Sequence, residues 1–249
     1  MNTAVLFETE IKRVTPKPKV VTATVDPRVA VVIPFRTGSA GILGKNTKII
    51  AGRRLWHWSW MTAMKAELVD LILVTTNDEP SLQYGRPDAR RRGEGLKPTH
   101  FIRRPAELAT EEAPLDAAII HAIDEVNFTG TVVVLQPTVP VRAEGLVDEC
   151  IRSFWQFPVS GSLVTVNRLH FVWDIGGRLT NGPRVNRQDM ETSQERFAED
   201  GSVFVTDSQV LRETGQRVVE PVLLFETART VDIDTEQDWR FAEDFLLRL

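Results

Sequence analysis

The 249-residue chain reads as an α/β protein with a doubly wound, mostly parallel sheet. Three observations predict this. Short continuous runs rich in Val and Ile recur at residues 29–33, 71–75, 131–135, 162–166 and 203–205, as strands buried on both faces require. Segments of helical period separate them. The first run ends in a glycine-rich loop, and ligands of such sheets sit beyond the C-terminal ends of strands.

Taken in order, residues 1–28 contain Pro-Lys-Pro and Asp-Pro and show no sustained period, so they read as an extension outside the main fold. The main domain spans 29–249. Leu55, Trp58, Met61 and Ala63 predict a first helix after the glycine loop. Ala117, Ile120, His121 and Ile123 predict a second, and Leu146, Cys150, Ile151 and Phe154 a third. A last helix is expected from about Glu236 to Leu247. Residues 168–200 break the rhythm with Gly176-Gly177 and Asn181-Gly182-Pro183, and read as an insertion, a small β-rich subdomain that packs on a second chain.

The composition is that of an ordinary globular protein, 42% hydrophobic and 26% charged. A net charge of −4 argues against nucleic acid as the main partner, because binding the phosphate backbone needs a basic field. The local exception, Arg86-Pro-Asp-Ala-Arg-Arg-Arg92, reads as a solvated loop. The single cysteine, Cys150, excludes an intrachain disulfide and fits a small buried hydrophobe. No apolar run approaches the roughly 20 residues of a membrane span. Glu8, Glu10, Pro16 and Pro18 do not suit a secretory signal, so a cytoplasmic location is expected.

The loop in VVIPFRTGSAGILGKN (residues 31–46) has Gly38, Gly41 and Gly44 three apart, bracketed by Arg36 and Lys45. Glycines allow positive φ and close approach of a ligand, freed N–H groups make an anion cradle, and the two cations add fixed charge. This reads as a phosphate loop, although an ordinary glycine-rich turn explains the spacing equally well. It is neither a P-loop, which would need Gly at Ser39 and a hydroxyl at Asn46, nor a G-x-G-x-x-G fingerprint.

Three further stretches carry candidate chemistry. In LQPTVPVR (135–142) two prolines hold Gln136 and Arg142, which suits a base or ribose plus a phosphate, or simply a rigid turn. In RPAELA (104–109), Arg103 and Arg104 could serve a nucleotide or pair with Glu107. In VDIDT (231–235), Asp232 and Asp234 would face one side of a strand, and two such carboxylates call for a cation. Mg²⁺ takes one or two protein carboxylates plus phosphates and waters. Equally, Asp234 could cap the following helix. The histidines and the lone cysteine offer no zinc spacing, and no G-x-S-x-G elbow is present.

Together and in this order, PFRTGSAGILGKN, RPAELA, LQPTVPVR, NRQ and VDIDTEQDW resemble the CMP-N-acetylneuraminate synthetases, the acylneuraminate cytidylyltransferases, from about Val29 to Leu249. The resemblance implies CMP transfer from CTP to the hydroxyl of a sialic-acid-like nonulosonic acid, with release of pyrophosphate. It implies that Arg36, Gly38, Ser39 and Lys45 hold the triphosphate. Asn46, Arg104 and Gln136 would contact cytosine and ribose, and Asp232 and Asp234 would bind Mg²⁺. Arg187 would face the sugar acid, and two chains would pair through the inserted subdomain. Arg36, Lys45 and Asp234 would carry the catalysis. Other readings are a nucleotidyltransferase of the same fold with another acceptor or nucleotide, and a nucleotide-binding protein without turnover. Ala40, Thr75-Thr76-Asn77, Val139 and Trp173-Asp174 depart from the family pattern. So does Ala198-Glu199-Asp200, where some relatives place an arginine and an asparagine. Two acids there predict repulsion of an acceptor carboxylate and poor use of N-acetylneuraminate.

Overall fold

The computed structural model describes residues 13–14, 28–38, 41–85, 96–157 and 161–248. In chain order the strands and helices are β1 (Arg13–Val14), β2 (Val29–Pro34), β3 (Ile49–Ile50), β4 (Arg53–Arg54), α1 (Leu55–Lys65), β5 (Leu71–Thr76), α2 (Glu79–Leu82), β6 (Thr99–Arg103), α3 (Leu115–Asp124) and β7 (Thr131–Val134). They continue with α4 (Leu146–Trp155), β8 (Ser162–Leu169), β9 (Arg196–Asp207), α5 (Ser208–Thr214), β10 (Val222–Glu226) and α6 (Glu236–Leu246). Among the described residues one sheet has the order β1-β10-β8-β9-β7-β2-β5-β6. The pairs β10–β8, β7–β2, β2–β5 and β5–β6 are parallel. β9 runs antiparallel to both its neighbours, and β1 to β10.

The apolar runs form the sheet centre because both faces of it are covered. In β2 every residue is buried. Val29, Val31 and Ile33 join the layer that contains Trp56 of α1 and Cys150 and Ile151 of α4. Ala30 and Val32 point the other way, to Ile119, Ala122 and Ile123 of α3. Each such large side chain contributes roughly 1.5–3 kcal/mol by leaving water. A third cluster of Ile42, Ile50, Leu55, Ile233, Trp239, Ala242 and Leu246 ties the glycine loop to the segment before α6 and to α6 itself.

The predicted runs and helices all fall within observed elements, and the mostly parallel doubly wound class is the one found. The sequence reading missed β1, β3, β4, β10, α2 and α5, and took β6 only as an extended segment; residues 1–28 read as outside the main fold, yet Arg13–Val14 pairs with β10 at the edge of the main sheet. β6 lies at the sheet edge and carries no continuous apolar run, whereas β10 does carry one, Val222–Phe225, that the reading overlooked. Residues 168–200 are an outgrowth of two sheet strands. Beyond an irregularity between Val164 and Val166, β8 and β9 continue as an antiparallel arm through Leu169 opposite Arg196. Its distal loop is held by Asn181, which donates to the carbonyls of His170 and Gln194 at 2.7 and 2.9 Å and accepts from the Val172 N–H. Trp173 and Ile175 stand exposed there.

Candidate active site

The site begins where β2 ends. The Phe35 N–H bonds the Thr75 carbonyl at 3.1 Å, extending the β2–β5 ladder, and its ring stacks on Trp56. Arg36 is the next residue and begins the loop. Thr37 N–H donates to the Asn77 side chain at 3.0 Å, so the residue that departs from the family's Ser-Thr-Asp pattern pins the loop's near end. Gly44 uses positive φ (63°) to enter a 3-10 turn, Lys45–Thr47, that buries Lys45 and Asn46. Gly38 and Gly41 do not adopt positive φ. Gly41 is required for another reason: a Cβ there would lie 2.6 Å from the Asp234 carbonyl oxygen. Ser39 lies outside the described residues.

A cleft of about 330 Å³ opens at this end of the sheet, within the size range of small-molecule sites. Arg36, Gly38, Lys45, Asn46, Arg104 and Asp234 all line it, with Phe35, Leu108, Thr110 and Ala113 as apolar and neutral walls. Six of the residues singled out from sequence therefore converge on one cavity. Arg104 follows β6, and its N–H bonds the Thr76 carbonyl at 2.9 Å. Its Nη2 donates to the Thr75 carbonyl at 3.1 Å, while its buried Nε has no partner among the described residues. Burial, and then the nearby Arg36, lower its pKa to about 10, so it stays a cation at neutral pH. Asn46 Oδ1 is likewise buried without a partner. An unpaired donor and an unpaired acceptor in one cleft are what a base with both hydrogen-bonding types would satisfy. Arg103 bonds Glu79 at 2.6 Å instead of the Glu107 considered from sequence.

Both loop cations meet carboxylates. Lys45 Nζ donates to the Ile233 carbonyl and, at 3.1 Å, to Asp234 Oδ1. Arg36 lies 3.9 Å from Glu111, an acid in the 106–113 loop that no motif singled out. Its only trace in the sequence was its place in the acidic stretch after RPAELA.

Residues 231–234 form no sheet strand, contrary to the expectation. Ile233 is buried, anchored by its N–H to the Thr138 carbonyl at 2.8 Å, and its neighbours Asp232 and Asp234 are exposed. Asp232 opens to solvent but is flanked by protein. That partial burial raises its pKa; Asp234 adds to the rise, and a bond with Thr138 and the Lys45 charge oppose it. The capping alternative for Asp234 fails. Thr235 caps α6, accepting from the Asp238 N–H, and Asp238 completes a capping box. Those bonds hold the Asp238 carboxyl below its ordinary pKa.

Gln136 is placed differently. It does not line the Arg104 cleft; its Oε1 abuts Gly201, whose missing Cβ would also come within 3.7 Å of Asp232 Oδ2. Gln136 and Asp232 thus share a second face beside Gly201. Arg142 is committed to its own chain. It donates to the carbonyls of Ser202 (2.8 Å) and Gln136 (2.7 Å) and to Ser59 Oγ (3.0 Å). Burial lowers its pKa to about 9, against the pull of Asp200 and Asp232. Asp200 also turns inward, accepting from Thr165, Thr227 and the Ser202 N–H. It is buried and hydrogen-bonded, so it does not present the repulsive charge expected from sequence. Arg187 opens a 3-10 turn in the arm's distal loop, and its side chain lies outside the described set. Cys150 is fully buried and its thiol pKa is pushed up by burial, as a packing residue requires.

The cytidylyltransferase family model matches residues 30–143, the stretch that carries β2, the glycine loop, Arg104 and Gln136. The chain is 25% identical over 223 residues to an N-acylneuraminate cytidylyltransferase of Escherichia coli, covering 86% of this chain and 51% of that protein. It is 22% identical to a CMP-N,N'-diacetyllegionaminic acid synthase of Legionella pneumophila, covering 88% and 96%. Over residues 30–143 the chain is thus similar to cytidylyltransferases.

Solved structures agree on the cytidylyltransferase fold. A CMP:2-keto-3-deoxy-manno-octonic acid synthetase complexed with CTP superposes with a TM-score of 0.66 at 14% identity, over 89% of this chain and 99% of that one. A 4-diphosphocytidyl-2C-methyl-D-erythritol synthase from Anaerococcus prevotii gives 0.58 at 13% identity, over 89% and 99%. The chain spans about half the length of the E. coli relative and nearly all of the Legionella one. No described helix is long and apolar enough to cross a membrane.

Proposed function

We propose that the protein transfers CMP from CTP to the hydroxyl of a nonulosonic acid and releases pyrophosphate. One observation carries this reading: Arg36, Lys45, Asn46 and Arg104 converge on a single cleft with an unpaired buried donor and acceptor. The cations suit the triphosphate, and the Asn46 amide and Arg104 guanidinium suit the cytosine edge, which offers both acceptors and an amino donor. Gln136, on the far side of Asp232, suits the ribose or the acceptor.

The donor set supports Mg²⁺. Among the described residues no three His, Cys, Asp or Glu gather into a cage. Asp232 and Asp234 provide two accessible carboxylates beside the cleft, the number this ion takes when substrate phosphates complete its shell. The ion pair of Lys45 with Asp234 supports a cationic partner for this carboxylate. Bound by these two side chains, Mg²⁺ would neutralise charge on the phosphates. In the transfer the acceptor oxygen bonds the α-phosphorus, the bond to the bridging oxygen breaks, and that oxygen leaves with pyrophosphate. Arg36 and Lys45 stabilise the negative charge that builds on the departing group.

The arm, with Trp173 and Ile175 exposed at its end, supports pairing of two copies into a homodimer. Use of CTP supports a cytoplasmic location. The test is pyrophosphate release with each of the four NTPs, using N-acetylneuraminate, legionaminate, pseudaminate and 3-deoxy-octulosonate. Strong CTP preference with one of these acids is expected; no release with any of them overturns the reading.

A further inference from the structure

The Lys45 ammonium and a divalent cation would compete for one carboxylate. Lys45 is 7% exposed, and its Nζ is fixed by the Ile233 carbonyl and by Asp234 Oδ1 at 3.1 Å. The Asp234 side chain is 76% exposed on its other side. Gly41 seats the same loop against the Asp234 carbonyl with no room for a Cβ, and Ile42 packs in one cluster with Ile233. The glycine loop and the Asp232–Asp234 segment are therefore one assembly. Within it the lysine stem is the part that can rotate.

We infer that Lys45 is a placeholder cation, which keeps divalent metal off Asp234 until the phosphates of a nucleotide draw its ammonium away. The inference rests on the nucleotide-binding reading of this cleft. Its physics is repulsion between like charges at hydrogen-bond range, which one carboxylate cannot offset for both. Lys45 also lines the cleft with Arg36 and Arg104, so phosphate oxygens there offer it an alternative partner. Exchange needs a rotamer change of a flexible stem and leaves the loop backbone in place. Coupling between two ligands is reciprocal: whatever factor the metal gains from the departure of Lys45, the nucleotide gains from the metal. The metal and the triphosphate would then enter together, and the site would not fill with metal alone.

The test measures Mn²⁺ binding to the full nucleotide-free chain, from the electron paramagnetic resonance signal of free Mn²⁺. Lys45→Met keeps the stem and removes the charge. It is expected to tighten Mn²⁺ binding about 5- to 150-fold, the range typical of such coupling. Adding Asp234→Asn to it should abolish the gain. Circular dichroism checks folding, and Lys45→Gln serves if the methionine variant does not fold. Equal or weaker Mn²⁺ binding in the folded variant overturns the placeholder role. The two readings fail separately. If the wild type releases pyrophosphate from CTP while Lys45→Met gains no affinity, only the placeholder is wrong. If the variant gains affinity and the wild type turns over no nucleotide, the placeholder stands and the proposed reaction falls.

Discussion

Arg104 and Arg142 each follow a strand of the same sheet, each is largely buried, and each has its pKa lowered by that burial, to about 10 and about 9. They differ in where their N–H groups go. Arg142 donates to Ser202, Gln136 and Ser59, three groups of its own chain, and so fastens the turn after β7 to β9 and α1. Arg104 and Asn46 both line the cleft, and the buried Arg104 Nε and Asn46 Oδ1 have no hydrogen-bond partner among the described residues. The contrast extends to the regions around them. On the cleft side, charges are unpaired or matched to accessible carboxylates, as with Arg36–Glu111 and Lys45–Asp234. On the arm side they are closed: Asp200 on Thr165 and Thr227, Arg168 on Glu226 and Glu195. Residue type does not separate ligand-binding from structural arginines; unsatisfied hydrogen-bonding capacity does.

The sharpest way to break this comparison is on the cleft side. Lys45→Ala removes a charge from the phosphate region and should lower turnover about a hundredfold or more, a loss of roughly 2–4 kcal/mol of transition-state stabilisation. Circular dichroism should show a folded chain, because Asp234 is open to water and the main cost is the Ile233 carbonyl losing its donor. A normal rate in a normally folded variant would remove Lys45 from the chemistry.

The arm side predicts the opposite signature. Arg142→Ala removes three hydrogen bonds that tie the turn to β9 and α1 and should cost roughly 3 kcal/mol of stability. For a chain of this size that lowers Tm by about 6–12 °C. Arg104→Ala should lower Tm by less than half as much, yet raise KM for CTP about tenfold or more. Thermal unfolding beside steady-state kinetics decides the matter. Equal Tm losses with an unchanged KM for Arg104→Ala would make both arginines structural.

Asp234 can be tested by a smaller change. Thr235 and Asp238 cap α6 without it, so Asp234→Asn should leave Tm unaltered. The Mg²⁺ concentration for half-maximal activity should rise about tenfold, since one charge of a two-carboxylate set is gone. An unaltered Mg²⁺ titration would refute a metal role for this side chain.

The sequence made the cleft side readable because its chemistry is local. A strand, a loop with Arg36 and Lys45 nine residues apart, and Asp232 and Asp234 two residues apart announce themselves in short windows. Long-range facts did not. That Gly41 answers to Asp234, that Arg142 closes on Ser202, and that Asp200 bonds Thr165 and Thr227 depend on pairs 27 to 193 residues apart. Reading Asp200 as a repulsive charge failed for this reason, because a carboxylate's partners decide whether it faces a ligand. β6 went unrecognised for a related reason: it is an edge strand, and THFIR lacks the apolar continuity that marked β2 and β7.

Glu111 offers the mildest test, and it separates a displaceable pair from a structural one. Its carboxylate lies 3.9 Å from Arg36, with side chains 67% and 28% exposed. A pair of that length in water contributes at most about 1 kcal/mol, and salt screens it. Nucleotide phosphates entering the cleft would take Arg36 from Glu111, so the pair weakens binding by its own small strength. Glu111→Gln keeps the side-chain shape and removes the competitor. KM for CTP should therefore fall, by no more than about fivefold, with Tm unchanged. The gain should shrink as ionic strength rises, because added ions screen Glu111 in the wild type. A rise in KM would mean that Glu111 positions Arg36 for the phosphates instead of competing with them, and the cleft side would then contain a paired, structural charge like those of the arm.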